Sequence, residues 1–79
     1  MSREGTIRFD DAAFISGFAE RMVSLRNKAG ISQHALSKRA GITRSTIAMI
    51  ETGRQHPTLV QAGRIASGLG VSTRELLGF

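Results

Sequence analysis

No cysteine, tryptophan or tyrosine occurs in the 79 residues, and proline occurs once. Without thiols there are no disulfides and no thiolate metal sites, and cysteine usage leaves the redox compartment unread. Four phenylalanines are the whole aromatic complement, too few for a single-strand binder built on base-stacking platforms. No apolar run approaches the ~20 residues that span a bilayer. Met1-Ser2-Arg3-Glu4-Gly5 leads into no apolar stretch of a secretory signal. A soluble, cytoplasmic protein with no membrane partner is the expectation. The length allows one hydrophobic core and no cleft between domains. An apolar content of 41% sets the chain apart from disordered sequences.

Acidic residues are also few, six against eleven Lys and Arg. Their placement says more than the net charge of +5. Residues 1–25 hold three basic and four acidic residues, and residues 59–79 hold two and one. Residues 26–58 hold Arg26, Lys28, Lys38, Arg39, Arg44 and Arg54 against Glu51 alone. Nearly the whole excess therefore sits in the middle third. A basic patch confined to one segment fits a polyanion-binding face, or a solvated basic surface.

Hydrophobic spacing predicts five short helices. Phe14, Ile15, Phe18, Met22, Leu25 and Ala29 recur at three- and four-residue steps over about 12–29, after Asp10 or Asp11 as N-cap and before Gly30. Ser32 caps a second helix that carries Ala35, Leu36 and Ala40 and stops at Gly41. Ile42 is a buried turn residue. Thr43 caps a third helix, with Ile47 and Ile50 inward and Gly53 at its end. Pro57 biases His56 away from helix and marks a loop over 54–57. Thr58 caps a fourth helix bearing Leu59, Val60, Ala62, Ile65, Ala66 and Leu69, closed by Gly70. Ser72 caps a last helix with Leu76 and Leu77. Gly17 and Gly63, inside predicted helices, read as close helix–helix contacts. Thr6-Ile7-Arg8-Phe9 alternates polar and apolar residues and is an edge strand or a flexible arm. The organisation expected is an arm over 1–10 and one all-α domain over 11–79.

The stretch from Gln33 to Thr52 carries the functional signal. Two short helices meet across Gly41-Ile42-Thr43. So tight a turn needs a residue free to take positive φ, which Gly41 supplies. It also needs a small residue where the backbones approach, Ser37, and branched apolar side chains beneath the second helix, Ile47 and Ile50. Counted from Gln33, these fall at positions five, nine, fifteen and eighteen. That spacing resembles the helix-turn-helix motif. Together with Arg26-Asn-Lys-Ala-Gly-Ile-Ser-Gln, Arg44-Ser-Thr-Ile-Ala-Met-Ile-Glu-Thr-Gly, His-Pro-Thr-Leu and Leu69-Gly-Val-Ser-Thr-Arg-Glu-Leu-Leu, it makes residues 14–77 similar to the phage Cro and repressor type of domain, the XRE family. Ser37 stands where that family usually has Ala. The resemblance implies a five-helix, lambda-repressor-like fold.

It also implies that the third helix lies in the major groove of double-stranded DNA. With Ile47 and Ile50 inward, a 100° step per residue turns Arg44, Ser45, Ala48, Met49 and Thr52 outward. Arg44 can donate two hydrogen bonds to guanine O6 and N7, and its other reading is a phosphate clamp. Ser45 discriminates weakly, and Ala48 and Met49 offer apolar contact. Gln33 opens the second helix, where free N–H groups favour an anion. The resemblance implies that this glutamine touches phosphate and braces the recognition helix. Thr43, Thr46 and Thr52 are hydroxyls near the backbone. Arg54 follows Gly53, where loop N–H groups are also expected to reach phosphate. Lys38 and Arg39 are phosphate contacts or solvated residues. The resemblance pairs Glu51 with Arg26, as a buried tie or as an exposed surface pair.

His34 and His56 lack metal-ligand partners, and no catalytic set, dinucleotide loop or small-molecule site can be assembled. No cofactor, metal or enzyme activity is expected. The expected function is a DNA-binding transcriptional regulator acting as a homodimer, a repressor or an activator. A protein-interaction module, such as the antitoxin of a toxin–antitoxin pair, is the alternative. The dimer contact is expected in Val71, Leu76, Leu77 and Phe79, with the N-terminal arm as the rival.

Overall fold

A computed structural model of the chain describes residues 9–78. Five helices follow in order: α1 (Asp11–Ala29), α2 (Gln33–Ala40), α3 (Arg44–Glu51), α4 (Leu59–Leu69) and α5 (Thr73–Leu77). No strand occurs among the described residues. Each helix starts on a short polar side chain, Asp10, Ser32, Thr43, Thr58 or Ser72, which accepts a hydrogen bond from a backbone N–H three residues on. These bonds satisfy donors that the first helical turn leaves open. At α4 and α5 the exchange is reciprocal. The N–H of Thr58 donates to Gln61 Oε1 at 2.9 Å and that of Ser72 to Glu75 Oε1 at 3.3 Å. Both are capping boxes whose Ser/Thr-x-x-Gln/Glu spacing is visible in the sequence.

The core draws on every helix. Met22 of α1, Leu36 of α2, Ile47 and Ile50 of α3, Ile65 of α4 and Leu76 of α5 are fully buried, each contributing roughly 1.5–3 kcal/mol of transfer free energy. Between α2 and α3 the chain reverses at Gly41, whose φ of 68° and N–H bond to the Ser37 carbonyl finish α2. Ile42 is buried in the turn. Ser37, also buried, donates its hydroxyl to the His34 carbonyl at 2.7 Å, so it brings no unsatisfied polar group inside.

Four expectations about packing change. Phe18 and Met22 are core, but Phe14 lies at the edge and is half open to solvent. Leu59 and Val60, in the first turn of α4, face out, because Ala62, Ile65, Ala66 and Leu69 already fill that helix's inner face. Gly17 and Gly63 are not close contacts between helices. A Cβ at Gly17 would meet only Arg21 of its own helix, and one at Gly63 would meet nothing within 4 Å. The close approach is at Gly68, where a Cβ would stand 3.0 Å from Leu36 Cδ1, 3.3 Å from Arg39 Cβ and 3.4 Å from the Ala40 nitrogen. Gly68 therefore lets α4 lie directly on α2. Finally, the C-terminal apolar residues are mostly used within the fold. Leu76 is in the core, and Val71 and Leu77 pack against it; Phe79, the fourth residue of that expected contact, lies outside the described residues.

α5 is held from outside by Arg21 of α1. Its Nε donates to the Leu76 carbonyl at 2.9 Å and its Nη2 to the Leu77 carbonyl at 2.7 Å. These are terminal carbonyls that α5 cannot satisfy itself. A Cβ on Gly78 would fall 2.6 Å from the Arg21 guanidinium carbon, so the clamp requires glycine there. The arm expected at the N-terminus lies outside the described residues up to position 8. Phe9 is in no strand, and its ring sits 5.1 Å from that of Phe14, tilted by 49°.

Candidate nucleic-acid interface

Two faces of α3 have opposite character. Ile47 and Ile50 are buried against the core, while Arg44, Ser45, Met49 and Thr52 are exposed and Ala48 is half-buried. Among the described residues no hydrogen bond or ion pair engages the Arg44 guanidinium, and the residue is exposed; the group carries five donors. Thr43 Oγ1 accepts from the Thr46 N–H at 3.4 Å and donates to Thr46 Oγ1 at 2.9 Å. Its single proton is spent within the cap, which leaves the Thr46 proton as the outward donor of the pair. Thr52 Oγ1 donates back along α3 to the carbonyls of Ala48 and Met49, at 3.0 and 3.2 Å. To meet a phosphate oxygen this hydroxyl has to rotate off its own helix.

The loop after α3 offers less than expected. The N–H groups of Thr52, Gly53, Arg54 and Gln55 donate to the carbonyls of Ala48, Ile50, Met49 and Met49, at 3.1, 3.1, 2.9 and 3.3 Å. Backbone donors in this stretch are thus already engaged in closing α3, and only the exposed side chain of Arg54 remains to reach an anion. Gly53, left-handed at φ 75° just past the Thr52 cap, turns the N–H groups of Gly53 and Arg54 back onto the Ile50 and Met49 carbonyls. Lys38 and Arg39 are exposed on the last turn of α2, and Arg39 Nη1 leans to the Gly68 carbonyl at 3.4 Å.

Three helices converge on one carboxylate. Glu51, at the end of α3, accepts from Arg26 Nε at 2.7 Å and Arg26 Nη2 at 3.1 Å, and from Gln33 Nε2 at 3.0 Å. Arg26 lies in the last turn of α1 and Gln33 opens α2. Arg26 Nη1 also donates to the Ile31 carbonyl at 3.0 Å. The Glu51 side chain is 4% exposed and that of Arg26 15%. The two-pronged geometry is the stronger form of carboxylate–guanidinium contact. The hydrogen bond to Glu51 raises the Arg26 pKa above the usual arginine range, burial opposes this, and the charge of Glu51 adds to the rise. The one acid of the basic segment is therefore neutralised internally. Gln33 braces α3 through the same atom group, with its amide directed at Glu51.

His34 and His56 are exposed, and among the described residues no group of three or more His, Cys, Asp or Glu could hold a metal ion. Among those residues too, no helix is long and apolar enough to cross a membrane.

Comparison with known proteins places this arrangement. The helix-turn-helix family model HTH_3 matches residues 23–76. An uncharacterized HTH-type transcriptional regulator of Methanothermobacter thermautotrophicus is 47% identical over 45 residues, which are 57% of this chain and 65% of that protein. The chain thus spans just under two thirds of that relative's length. One from Archaeoglobus fulgidus is 34% identical over 59 residues, 75% of this chain and 84% of that protein. Among solved structures, the restriction-modification controller protein C.AhdI from Aeromonas hydrophila superposes with a TM-score of 0.78 at 33% identity, over 81% of this chain and 97% of that one. With its five helices, the Gly41 turn and the buried pair Ile47 and Ile50 beneath an exposed α3, the chain belongs to the XRE-type helix-turn-helix family of transcriptional regulators.

Proposed function

We propose that this chain is a sequence-specific regulator that binds a near-palindromic operator in double-stranded DNA as a homodimer, with α3 in the major groove. One observation carries the reading: α3 is braced on its inner side and at its end, while its outer side presents an exposed arginine beside small and apolar residues. In this reading Arg44, Ser45, Ala48 and Met49 contact base edges, with Arg44 on guanine. Gln33, Thr43, Thr46, Thr52 and Arg54 contact phosphates on either side of the groove. Glu51 does not repel the backbone, because Arg26 and Gln33 hold it inside. Similarity to a restriction-modification controller protein supports a regulatory role.

The homodimer follows from footprint. A single module covers only ~600–1,000 Å² on DNA, and two related by a two-fold axis read half-sites about 10 bp, or ~34 Å, apart. Selection of bound duplexes from a random pool tests the reading. The expected outcome is an enriched inverted repeat with that spacing. Failure to enrich any sequence would overturn sequence-specific binding.

A further inference from the structure

Oxidisable sulfur is scarce in this chain and unevenly placed. The 79 residues hold three methionines and no cysteine, tryptophan or tyrosine, so a thioether is the group that a hydroperoxide oxidises most readily here. Met1 lies outside the described residues. Met22 is 0% exposed and belongs to the core. Met49 is 40% exposed on the outer side of α3, with Ser45 one turn before it and Thr52 just after it, both exposed. Its backbone is fixed while its side chain is open: the Met49 carbonyl accepts from the Arg54 N–H at 2.9 Å, the Thr52 hydroxyl at 3.2 Å and the Gln55 N–H at 3.3 Å.

We propose that Met49 is a site of reversible oxidation to methionine sulfoxide, and that the added oxygen loosens the hold of α3 on its operator. The second part rests on the DNA-binding reading. The step is a two-electron oxidation. A sulfur lone pair attacks one oxygen of a hydroperoxide, the O–O bond breaks and an S–O bond forms. The proton passes to the departing oxygen, so the peroxide leaves as water or an alcohol. Sulfoxide reductases reverse the step, with a thiol pair oxidised to a disulfide as the oxygen leaves as water.

Placement makes the change a switch rather than damage. A polar oxygen on Met22 would open the core, but that sulfur is covered. An oxygen on Met49 leaves the buried side chains and the bonds to Glu51 as they are. It alters what α3 offers the groove. The thioether meets a base edge by apolar contact, for which the thymine methyl is the natural partner. A sulfoxide oxygen accepts hydrogen bonds and donates none. Thymine presents the acceptor O4 beside its methyl and guanine presents two acceptors, whereas only adenine and cytosine carry an amino donor there. Against a thymine the new oxygen is desolvated without a partner. An unsatisfied acceptor of this kind lowers affinity by roughly 5- to 150-fold.

The test has one arm without DNA and one with it. The full chain is treated with hydrogen peroxide and digested after arginine. Cleavage after Arg21, Arg26, Arg44 and Arg54 puts Met22 and Met49 in separate peptides. The Met49 peptide should gain one oxygen while the Met22 peptide stays unmodified, with the helical circular dichroism spectrum and the melt unchanged. Affinity for the selected operator should then fall by at least about 5-fold, and methionine sulfoxide reductase should restore it. Met49→Leu keeps an apolar side chain and has no sulfur. Its operator affinity, whatever its starting value, should be the same before and after peroxide. Met22 oxidised as fast as Met49, full affinity with Met49 completely oxidised, or a Met49→Leu variant that responds to peroxide like wild type would each overturn the proposal. Absence of duplex binding before peroxide would instead overturn the DNA-binding reading and the switch with it, and the peptide map would still decide the site.

Discussion

Replacing Glu51 by alanine removes the acceptor on which α1, α2 and α3 converge. Arg26 then keeps one partner, the Ile31 carbonyl at 3.0 Å, and loses bonds of 2.7 and 3.1 Å. Breaking a buried pair by deleting one member costs ~3–5 kcal/mol. With 15% of its side chain open to water, Arg26 recovers part of its solvation, which moves the expectation to the lower end, about 3 kcal/mol. Gln33 loses a bond as well, but its amide can turn to solvent. For a domain of this size each kcal/mol lowers Tm by ~4–8 °C, so the melt should fall by roughly 12–24 °C. Glu20→Ala, an exposed change on α1, should stay within ~0.5 kcal/mol of wild type. Thermal and urea unfolding of Arg26→Met, Glu51→Met and the double variant complete the cycle. The double should lie well above the sum of the singles, with a coupling of at least ~1.5 kcal/mol, because it leaves no uncompensated charge. A Glu51→Ala melt close to that of Glu20→Ala, or strict additivity in the cycle, would refute the reasoning.

Arg44→Ala should cost ~1–3 kcal/mol on the selected operator and relax preference at one base pair per half-site, while unrelated duplex weakens much less. Equal loss on all sequences in equilibrium titrations would make Arg44 a phosphate contact. Arg54→Ala should weaken specific and non-specific DNA alike and flatten the salt dependence of log K by about 0.9 for each phosphate it ceases to neutralise; an unchanged slope removes Arg54 from the interface. Two glycine substitutions in α4 should have opposite signs. Gly63→Ala, with open space around its Cβ, should stabilise by up to about 1 kcal/mol. Gly68→Ala should destabilise despite the same helical gain, because its Cβ would stand 3.0 Å from Leu36 Cδ1 and 3.3 Å from Arg39 Cβ, with the Ala40 nitrogen at 3.4 Å. Denaturant midpoints decide between the signs.

What could be read from the sequence is what short-range chemistry determines. Asp10, Ser32, Thr43, Thr58 and Ser72 cap helices because each acts on a backbone N–H three residues away, and Gly30, Gly41 and Gly70 stop them at positive φ. The inward face of α3 follows from the spacing of Ile47 and Ile50. What could not be read depends on partners distant in the chain. Arg21 has no local mark of its reach to residues 76 and 77, 55 and 56 positions on. Gly68 reads as part of a helix stop, yet its lack of a side chain is what admits α2. Leu59 and Val60 continue an apolar pattern, and only the crowded inner face of α4 turns them out. The loop N–H groups after Gly53 look available until the carbonyls at the end of α3 are seen to take them.

The convergence on Glu51 makes α2 and α3 parts of one rigid body, with Gly68 setting α2 firmly on α4. A reader of this kind has little slack with which to follow a half-site whose groove differs in width or twist. The misfit must then be taken up by the duplex, and its cost depends on how readily the intervening base steps deform. Base pairs between the half-sites, beyond the reach of Arg44 and Met49, should therefore influence affinity. Exchanging flexible pyrimidine–purine steps there for a stiff A-tract, with both half-sites kept, should change binding on the order of 1 kcal/mol or more. A flat response would place the compliance in the protein instead.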